Sequence, residues 1–295
     1  MPNPPILMPL RAIVKVDEVL AVTGAQRILV ADCYIAGCER WTGRPWGWET
    51  VVQGRTIINV DHHAADDRFY RHVSSGNLAI EYRLHHEPAD TVVINHTDCD
   101  SVISSAILCG LLEPKPAYGD AVIAADHTGA VDLIADLLQS LDAPRDYACS
   151  LRNLKLLENG QHLEPAVEAL MEDRRRERAL AAQLVAQGAF EPVGRVAVAM
   201  LPFEQRVSGE FLPALLPSAW VIVSGTPMGR ELWETKIRLG LAAPAGVSLF
   251  QLGVGTAEPL FGGRWNAGST KRAGGSPVTP RAVARRLADE INARF

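Results

Sequence analysis

Three short apolar runs in the first half of the chain each end at a residue that can bind a metal. The runs are residues 27–31, 56–60 and 91–95, and the residues that follow them are Asp32, Asp61 and His96. Short β-branched runs are typical of buried parallel strands. Segments with helical periodicity lie between and after them, at 76–85, 100–112 and 120–138. This alternation predicts an α/β fold, with a parallel sheet covered by helices on both faces.

The length of 295 residues suits two domains better than one. We expect a metal-binding catalytic domain over 1–150, a helical connector over 151–190 and a smaller α/β substrate-binding domain over 191–295. The mixed-charge run 172–178 in the connector predicts a solvated helix face. Strands are expected at 195–200, 220–224 and 234–239, and a helix at about 280–294 with Thr279 as its N-cap.

Charge and composition exclude several classes of protein. A net charge of −5 argues against a general surface for long duplex nucleic acid. The sequence has no apolar run of membrane-spanning length, and its start lacks the order of a signal peptide, so a cytoplasmic location is expected. Five irregularly spaced cysteines favour free thiols in a reducing compartment rather than disulfides or a zinc site.

The segment from His96 to Asp100 combines one imidazole with two carboxylates at alternate positions. In a parallel sheet, ligands bind beyond the carboxyl ends of the strands, where this segment is expected. His96, Asp98 and Asp100 can converge there on one cation, and oxygen and imidazole donors without thiolate suit Mn²⁺, Mg²⁺ or Zn²⁺. The alternative for Asp100 is an N-cap of the helix that follows.

Two further acidic and histidine segments have the same character. Asp61, His62 and His63 directly follow a predicted buried strand, which is unusual for a simple turn. They favour metal binding, with a carboxylate that can orient a neighbouring histidine, over a merely polar loop. Asp126 lies in a mostly apolar segment, where an unpaired charge is costly. His127 is either a substrate contact or a surface residue.

These segments resemble motifs of the DHH phosphoesterase superfamily. Residues 60–63 are similar to its Asp-His-His signature, and residues 96–101 to its His-x-Asp-x-Asp-Gly motif, with Ser101 in place of glycine. Residues 126–129 resemble its Asp-Thr-Gly-type motif with one insertion, and Asp32 fits its lone Asp. The order is permuted, because the His-x-Asp-x-Asp motif normally comes first. All these loops can still meet at one edge of the sheet.

The second half is similar to the smaller substrate-binding domain of that superfamily, called DHHA1. A glycine-rich segment at 262–275 stands where the family has a Gly-Gly-Gly-His-type loop, with Trp265 or Asn266 in place of the histidine. Loop amides and arginine forks can bind phosphate. The alternative is a flexible surface loop. The expected substrate-binding residues are Arg264, Asn266, Ser269, Lys271 and Arg272.

A tryptophan-rich segment at 40–48 holds three of the six tryptophans of the chain. Exposed indoles and arginines can stack on a base. The segment can equally cover the edge of the sheet or form a subunit contact, so a homodimer stays open.

The resemblance implies a metal-dependent phosphohydrolase that cleaves a phosphoester or phosphoanhydride of a nucleotide or short oligonucleotide by two-metal water activation. Two Mn²⁺ ions are expected, with Mg²⁺ as the alternative. The expected metal ligands are Asp32, His62, His96, Asp98, Asp100 and Asp126. The expected catalytic residues are Asp61, His63 and His127. The alternatives are a non-catalytic nucleotide-binding or regulatory protein on the same scaffold, a manganese pyrophosphatase-like enzyme and a zinc amidohydrolase.

Overall fold

The computed structural model describes residues 2–11, 13–38, 40–41, 48–63, 73–229 and 231–295. These residues form two compact units. The first contains the described residues of 1–64, 72–126 and 131–172, and the second contains 127–130 and 173–295.

The first unit is built on a mixed sheet. Its strands are β1 (Ile6–Leu7), β2 (Val14–Lys15), β3 (Arg27–Ala31), β4 (Ile35–Ala36), β5 (Arg40–Trp41), β6 (Trp48–Val52), β7 (Arg55–Val60) and β8 (Val92–Ile94). Its helices are α1 (Val16–Val22), α2 (Ser75–His85), α3 (Cys99–Leu108), α4 (Pro116–Ile123), α5 (Leu133–Ser140), α6 (Tyr147–Glu158) and the start of α7 (Pro165–Ala186).

The main sheet has the order β1-β8-β3-β7-β6-β5, while β2 and β4 form a separate parallel pair. The four strands from β1 to β7 in this order run parallel, and β6 and β5 continue the sheet antiparallel. The carboxyl ends of β8, β3 and β7 therefore meet at one edge. Of these three, β3 is the central strand, so the residues that follow it have neighbours on both sides.

Helices cover both faces of this sheet, as the sequence pattern predicted. Val16 and Val19 of α1 belong to one apolar cluster with Ile28, Val30 and other residues of the sheet. Successive side chains of a strand point to opposite faces of the sheet, so the residues between those of this cluster point to the other face. On that side α2 contacts β7, and α3 contacts both β3 and β8.

Residues 120–138 are largely helical, as expected, but they do not form one continuous helix. The chain instead forms α4, a π-helical turn over Ala124–Thr128, and then α5. The helix ends here because Gly129 takes a positive φ of 68°, and α5 starts anew with the Asp132 carboxylate accepting from the Ala135 amide at 2.8 Å. The helix expected over 100–112 also ends early, at Leu108, before Gly110 with a φ of 74°.

The second unit has its own sheet, with the order β13-β14-β12-β11-β10-β9. Its strands are β9 (Glu191–Val193), β10 (Val196–Met200), β11 (Val221–Pro227), β12 (Trp233–Leu239), β13 (Gly262–Gly263) and β14 (Ala267–Ser269). Its further helices are α8 (Leu212–Leu215), α9 (Val254–Ala257) and α10 (Pro280–Arg294). Only β10 and β11 pair in parallel, and the other pairs are antiparallel. One apolar cluster lies between this sheet and α10, whose N-cap is Thr279 as predicted, and a second contains residues of α7 and α8.

The charge run on α7 is not a fully solvated face, which corrects the sequence-based expectation. The guanidinium groups of Arg174 and Arg178 lie 4.7 and 4.4 Å from the ring centroid of the fully buried Phe211. Arg174 also forms an ion pair with Glu210 at 2.7 Å. The Phe211 ring, which lies outside α7, thus forms cation–π contacts with two arginines of the charge run. The charge pattern of α7 alone predicts that these arginines face solvent.

Gly225 in β11 lies against Pro280 of α10, and it gives a test of this packing. A Cβ atom at Gly225 would lie 1.9 Å from Cγ of Pro280. We expect Gly225→Ala to lower the free energy of unfolding by about 2 kcal/mol, as overpacking does. Gly255→Ala is the matched control, since a Cβ there meets nothing within 4 Å. Urea denaturation followed by circular dichroism measures both, and equal midpoints would contradict this packing.

Candidate metal centre

The ends of β3 and β7 bring two acidic residues to the same edge. Ala31 and Val60 are register partners in the parallel pair, so Asp32 and Asp61 follow at the same level. The Asp32 amide still donates to the Val60 carbonyl at 3.1 Å, which extends the ladder by one bond. Both side chains are buried.

The imidazole of His62 is surrounded by carboxylates of the first unit. Its Nε2 atom lies 3.8 Å from Oδ1 of Asp32, 3.5 Å from Oδ2 of Asp100 and 3.0 Å from Oδ2 of Asp126. Its Nδ1 atom lies 3.1 Å from the Val73 carbonyl oxygen. Because a carbonyl only accepts, Nδ1 carries the proton and the Nε2 lone pair of the neutral ring faces the carboxylates. That arrangement requires a cation at Nε2, either a proton or a metal ion.

Asp61 contacts His63. Its Oδ1 atom accepts from Nδ1 of His63 at 2.6 Å, and its Oδ2 atom accepts from the His63 amide at 2.9 Å. Burial raises the pKa of Asp61, but the charge and hydrogen bonds of His63 outweigh it, so the pKa is lowered. His63 is half-buried, and its Nδ1 atom also lies 3.7 Å from Oδ1 of Asp32. Asp61 thus sets the orientation of the His63 ring.

Asp100 contacts the start of another helix. Its Oδ1 and Oδ2 atoms accept from the amides of Gly76 and Ser75 at 2.6 and 2.9 Å, in the first turn of α2. The N-cap of α3 is Asp98, which accepts from the Ser101 amide at 3.0 Å, so the alternative that Asp100 caps its own helix is wrong. Amides at a helix N-terminus favour a carboxylate anion.

Burial and mutual repulsion raise the pKa values of the central acids. Burial raises the pKa of Asp32 well above its usual value, and Asp100 and Asp98 raise it further. Burial also raises the pKa of Asp100 well above its usual value, and the charges of Asp126 and Asp98 raise it further. A divalent cation would neutralise these carboxylates where they lie.

The donor atoms fit such a cation. One donor atom each of Asp32, His62 and His63 lies within 4.8 Å of the other two. The donors are carboxylate oxygens and imidazole nitrogens, which are ligands of divalent cations in proteins. Burial raises the pKa of the thiol of the adjacent Cys33 well above the usual value.

Three further expected site residues are Asp98, His96 and His127. Asp98 is half-buried and acts electrostatically on Asp32 and Asp100. His96 is half-buried. Within the described residues, it is not part of any group of side chains whose metal-binding atoms converge. His127 is part of the second unit, where its Nδ1 atom lies 3.2 Å from Nδ2 of Asn266.

The glycine-rich segment is a β-hairpin and not a flexible surface loop, which corrects that alternative. A Cβ atom at Gly263 would lie 2.4 Å from Cα of Gly268, so only glycine permits the close pairing of β13 and β14. Asn266 and Trp265 at its turn are buried, and Arg264 and Ser269 are half-buried. Lys271 and Arg272 are exposed in the short helical turn that follows.

Several residues near these groups escaped the sequence analysis. Lys236 is the register partner of Ser269, and its pKa is lowered, first by burial and then by Arg206. The hydroxyls of Ser75 and Ser101 donate to Asp32 at 3.0 and 2.5 Å. No local pattern marks these residues, since strand pairing or helix packing brings each to its place. The sequence shows that Ser101 stands where the resembled motif has glycine. It does not show that the hydrogen-bond partner of this serine is Asp32.

Residues 42–47 of the tryptophan-rich segment lie outside the described residues. Trp48 is half-buried and packs against the apolar cluster on the α1 side of the first sheet. Of the helices in the described residues, none is long and apolar enough to cross a membrane.

Similarity to known proteins is found at the level of structure. No family model matches the sequence, and no curated protein matches it. A solved structure described as the pGpG-specific phosphodiesterase PggH from Vibrio cholerae aligns with 92% of this chain and 100% of its own, at 12% identity and a TM-score of 0.40. A similarity at this level carries no conclusion about function, which must come from the side chains.

The crowding of carboxylates predicts that the metal-free protein is stabilised by removing one of them. Asp32→Asn replaces a buried, repelled carboxylate with a neutral amide, and asparagine tolerates the positive φ of 52° at this position. We expect a free energy of unfolding higher by roughly 1 kcal/mol in the presence of a chelator. Added Mn²⁺ should stabilise the wild type more than the variant, as measured by thermal denaturation.

Asp120→Asn, at an exposed position on α4, is the control and should change neither value. A variant that is less stable than the wild type in chelator, yet equally stabilised by Mn²⁺, would contradict this account of the site.

Proposed function

We propose that this protein is a metal-dependent phosphohydrolase of the DHH type, which cleaves a phosphoester or phosphoanhydride of a nucleotide or short oligonucleotide. The observation that carries the proposal is the Nε2 atom of His62, buried among the carboxylates of Asp32, Asp100 and Asp126 at 3.0 to 3.8 Å. Burying several like charges around one imidazole is costly unless a cation belongs there.

The DHH assignment is supported by the residues that come together. Asp32, Asp61, His62 and His63 lie on the loops after β3 and β7, and Asp100 follows β8 on the other side of β3. The permuted motif order is therefore compatible with a single centre. The proposal assigns metal chemistry to the domain expected over 1–150 and substrate binding to the domain over 191–295, with the connector between them.

The proposed ligands are Asp32, His62, Asp100 and Asp126, with His96 and Asp98 completing the set for two Mn²⁺ ions. When bound, such ions supply positive charge to the phosphoryl group and Lewis acidity for its transfer to water. The Ser75 and Gly76 amides keep Asp100 in place, and the Val73 carbonyl keeps the Nε2 atom of His62 directed at the centre. Carboxylate-rich ligation favours this class over a zinc amidohydrolase.

His63 is the proposed proton carrier. Asp61 holds its Nδ1 proton, so the Nε2 atom of the neutral ring is left to accept a proton and, once protonated, to donate to a phosphoryl oxygen. Its side chain is 28% exposed, whereas that of His62 is 1% exposed. His63 is thus the histidine that a substrate can reach.

Substrate recognition is proposed for the second unit. Arg264, Ser269, Lys271 and Arg272 lie on or directly after the β13–β14 hairpin, and Lys236 pairs with Ser269 from the neighbouring strand. Arginine and lysine on such a hairpin suit phosphate oxygens. We include His127 and Asn266, which contact each other, as proposed substrate contacts.

A substrate panel with an isosteric variant tests the hydrolase. Asp98→Asn keeps an N-cap for α3, because asparagine caps as well as aspartate, while it removes one negative charge from the centre. With Mn²⁺ and a panel of nucleotides, dinucleotides and pyrophosphate, we expect kcat on the best substrate to fall about 100-fold or more, with little change in melting temperature.

The matched control is Asp146→Asn, which alters the N-cap of α6 in the same way outside the centre. Its kcat should equal that of the wild type. A panel without turnover by the wild type would favour a non-catalytic nucleotide-binding protein, and turnover of pyrophosphate alone would favour a pyrophosphatase.

Lys271→Ala tests the substrate-binding role of the second unit. Removing an exposed cation that binds a distal phosphate should raise KM about tenfold and leave kcat within about twofold, since it acts equally on ground and transition states. Lys155→Ala, at an exposed position of α6, is the control. Steady-state kinetics on the same substrate measure both, and an unchanged KM would remove Lys271 from the site.

A further inference from the structure

Asp32 has an unusual backbone for a buried residue. It directly follows β3 with a φ of 52°, in the left-handed region that favours glycine. For a residue with a side chain this conformation costs about 1–2 kcal/mol, although aspartate tolerates it better than most. Such a conformation persists where surrounding contacts enforce it, and these cluster at functional sites.

Two hydroxyl groups provide those contacts. The Ser75 hydroxyl donates to Oδ1 of Asp32 at 3.0 Å, and the Ser101 hydroxyl donates to Oδ2 at 2.5 Å. Both serines are completely buried, and they lie in the first turns of two different helices, α2 and α3. The carboxylate is therefore held from two sides, and each oxygen keeps capacity to bind a cation.

Neighbouring serines on α3 show a different arrangement of buried hydroxyls. The hydroxyls of Ser104 and Ser105 both donate to the Ser101 carbonyl of their own helix, at 3.3 and 2.6 Å. This local bond is the usual solution for a serine inside a helix. Ser101, one turn earlier, donates to Asp32 instead. The need of a buried hydroxyl for a hydrogen-bond acceptor therefore does not by itself explain why Ser101 donates to Asp32.

We propose that Ser75 and Ser101 are positioning residues, which fix the Asp32 carboxylate in the orientation that binds the divalent cation. The inference rests on the metal centre of the proposed function. Ser101 occupies the position at which the resembled motif has glycine, so its hydroxyl is a feature of this chain. Partners that orient a ligating carboxylate typically change metal affinity by about 10- to 100-fold.

The test is Mn²⁺ binding to the full chain without substrate, followed by the electron paramagnetic resonance signal of free Mn²⁺. We expect Ser101→Ala and Ser75→Ala each to raise the Kd for Mn²⁺ about tenfold. Ser104→Ala is the matched control, a buried serine of the same helix whose hydroxyl donates to a backbone carbonyl, and its Kd should stay within about twofold. Ser101→Gly serves as a second variant that removes the hydroxyl.

A double-mutant cycle separates positioning from general stability. In the Asp32→Asn background, Ser101→Ala should have no further effect on the Kd, because the group that it orients has changed. Equal effects in both backgrounds would overturn the proposal, as would wild-type affinity in both Ser101→Ala and Ser75→Ala.

The outcome is distinguishable from that of the proposed function. Wild-type protein that binds Mn²⁺ but hydrolyses no substrate would refute the hydrolase, and the serine variants would still be judged on affinity. Full hydrolysis by the wild type with unchanged affinity in the variants would refute the positioning role alone. Wild-type protein that binds no Mn²⁺ would overturn both.

Discussion

The burial of several carboxylates around the Nε2 atom of His62 is the constraint on which the first unit depends. Asp32, Asp100 and Asp126 all approach this atom within 3.8 Å, away from most of the solvent. Like charges at this spacing repel one another, and burial deprives them of hydration. The fold must therefore supply compensating positive ends of dipoles around these carboxylates.

The compensating groups come from the starts of two helices. The amides at the beginning of α2 bind Asp100, and hydroxyls at the beginnings of α2 and α3 bind Asp32. Gly76 permits this approach, since a Cβ atom there would lie 3.2 Å from Oδ1 of Asp100. Packing of α2 against α3 thus sets the geometry of these acids.

The second unit carries basic side chains on and beside a closely paired hairpin. Its glycine-rich segment pairs so closely in β13 and β14 that side chains are excluded, and the basic residues lie at its turn and just beyond. Lys236 joins them through strand register alone. Arg174 and Arg178, which belong to the mixed-charge run, are instead held against Phe211 and stabilise the fold.

The sequence alone determined the α/β class and placed the acids and histidines at strand ends, because β-branched runs and the polar residues after them are local patterns. It also located α2 and α10 closely, since caps and periodicity are local. Only the tertiary structure decided that Asp98 caps α3 while Asp100 reaches α2, and that Ser101 turns to Asp32. Those choices depend on which helix packs beside which strand, and partners 24 to 69 residues apart leave no periodic signal in the chain.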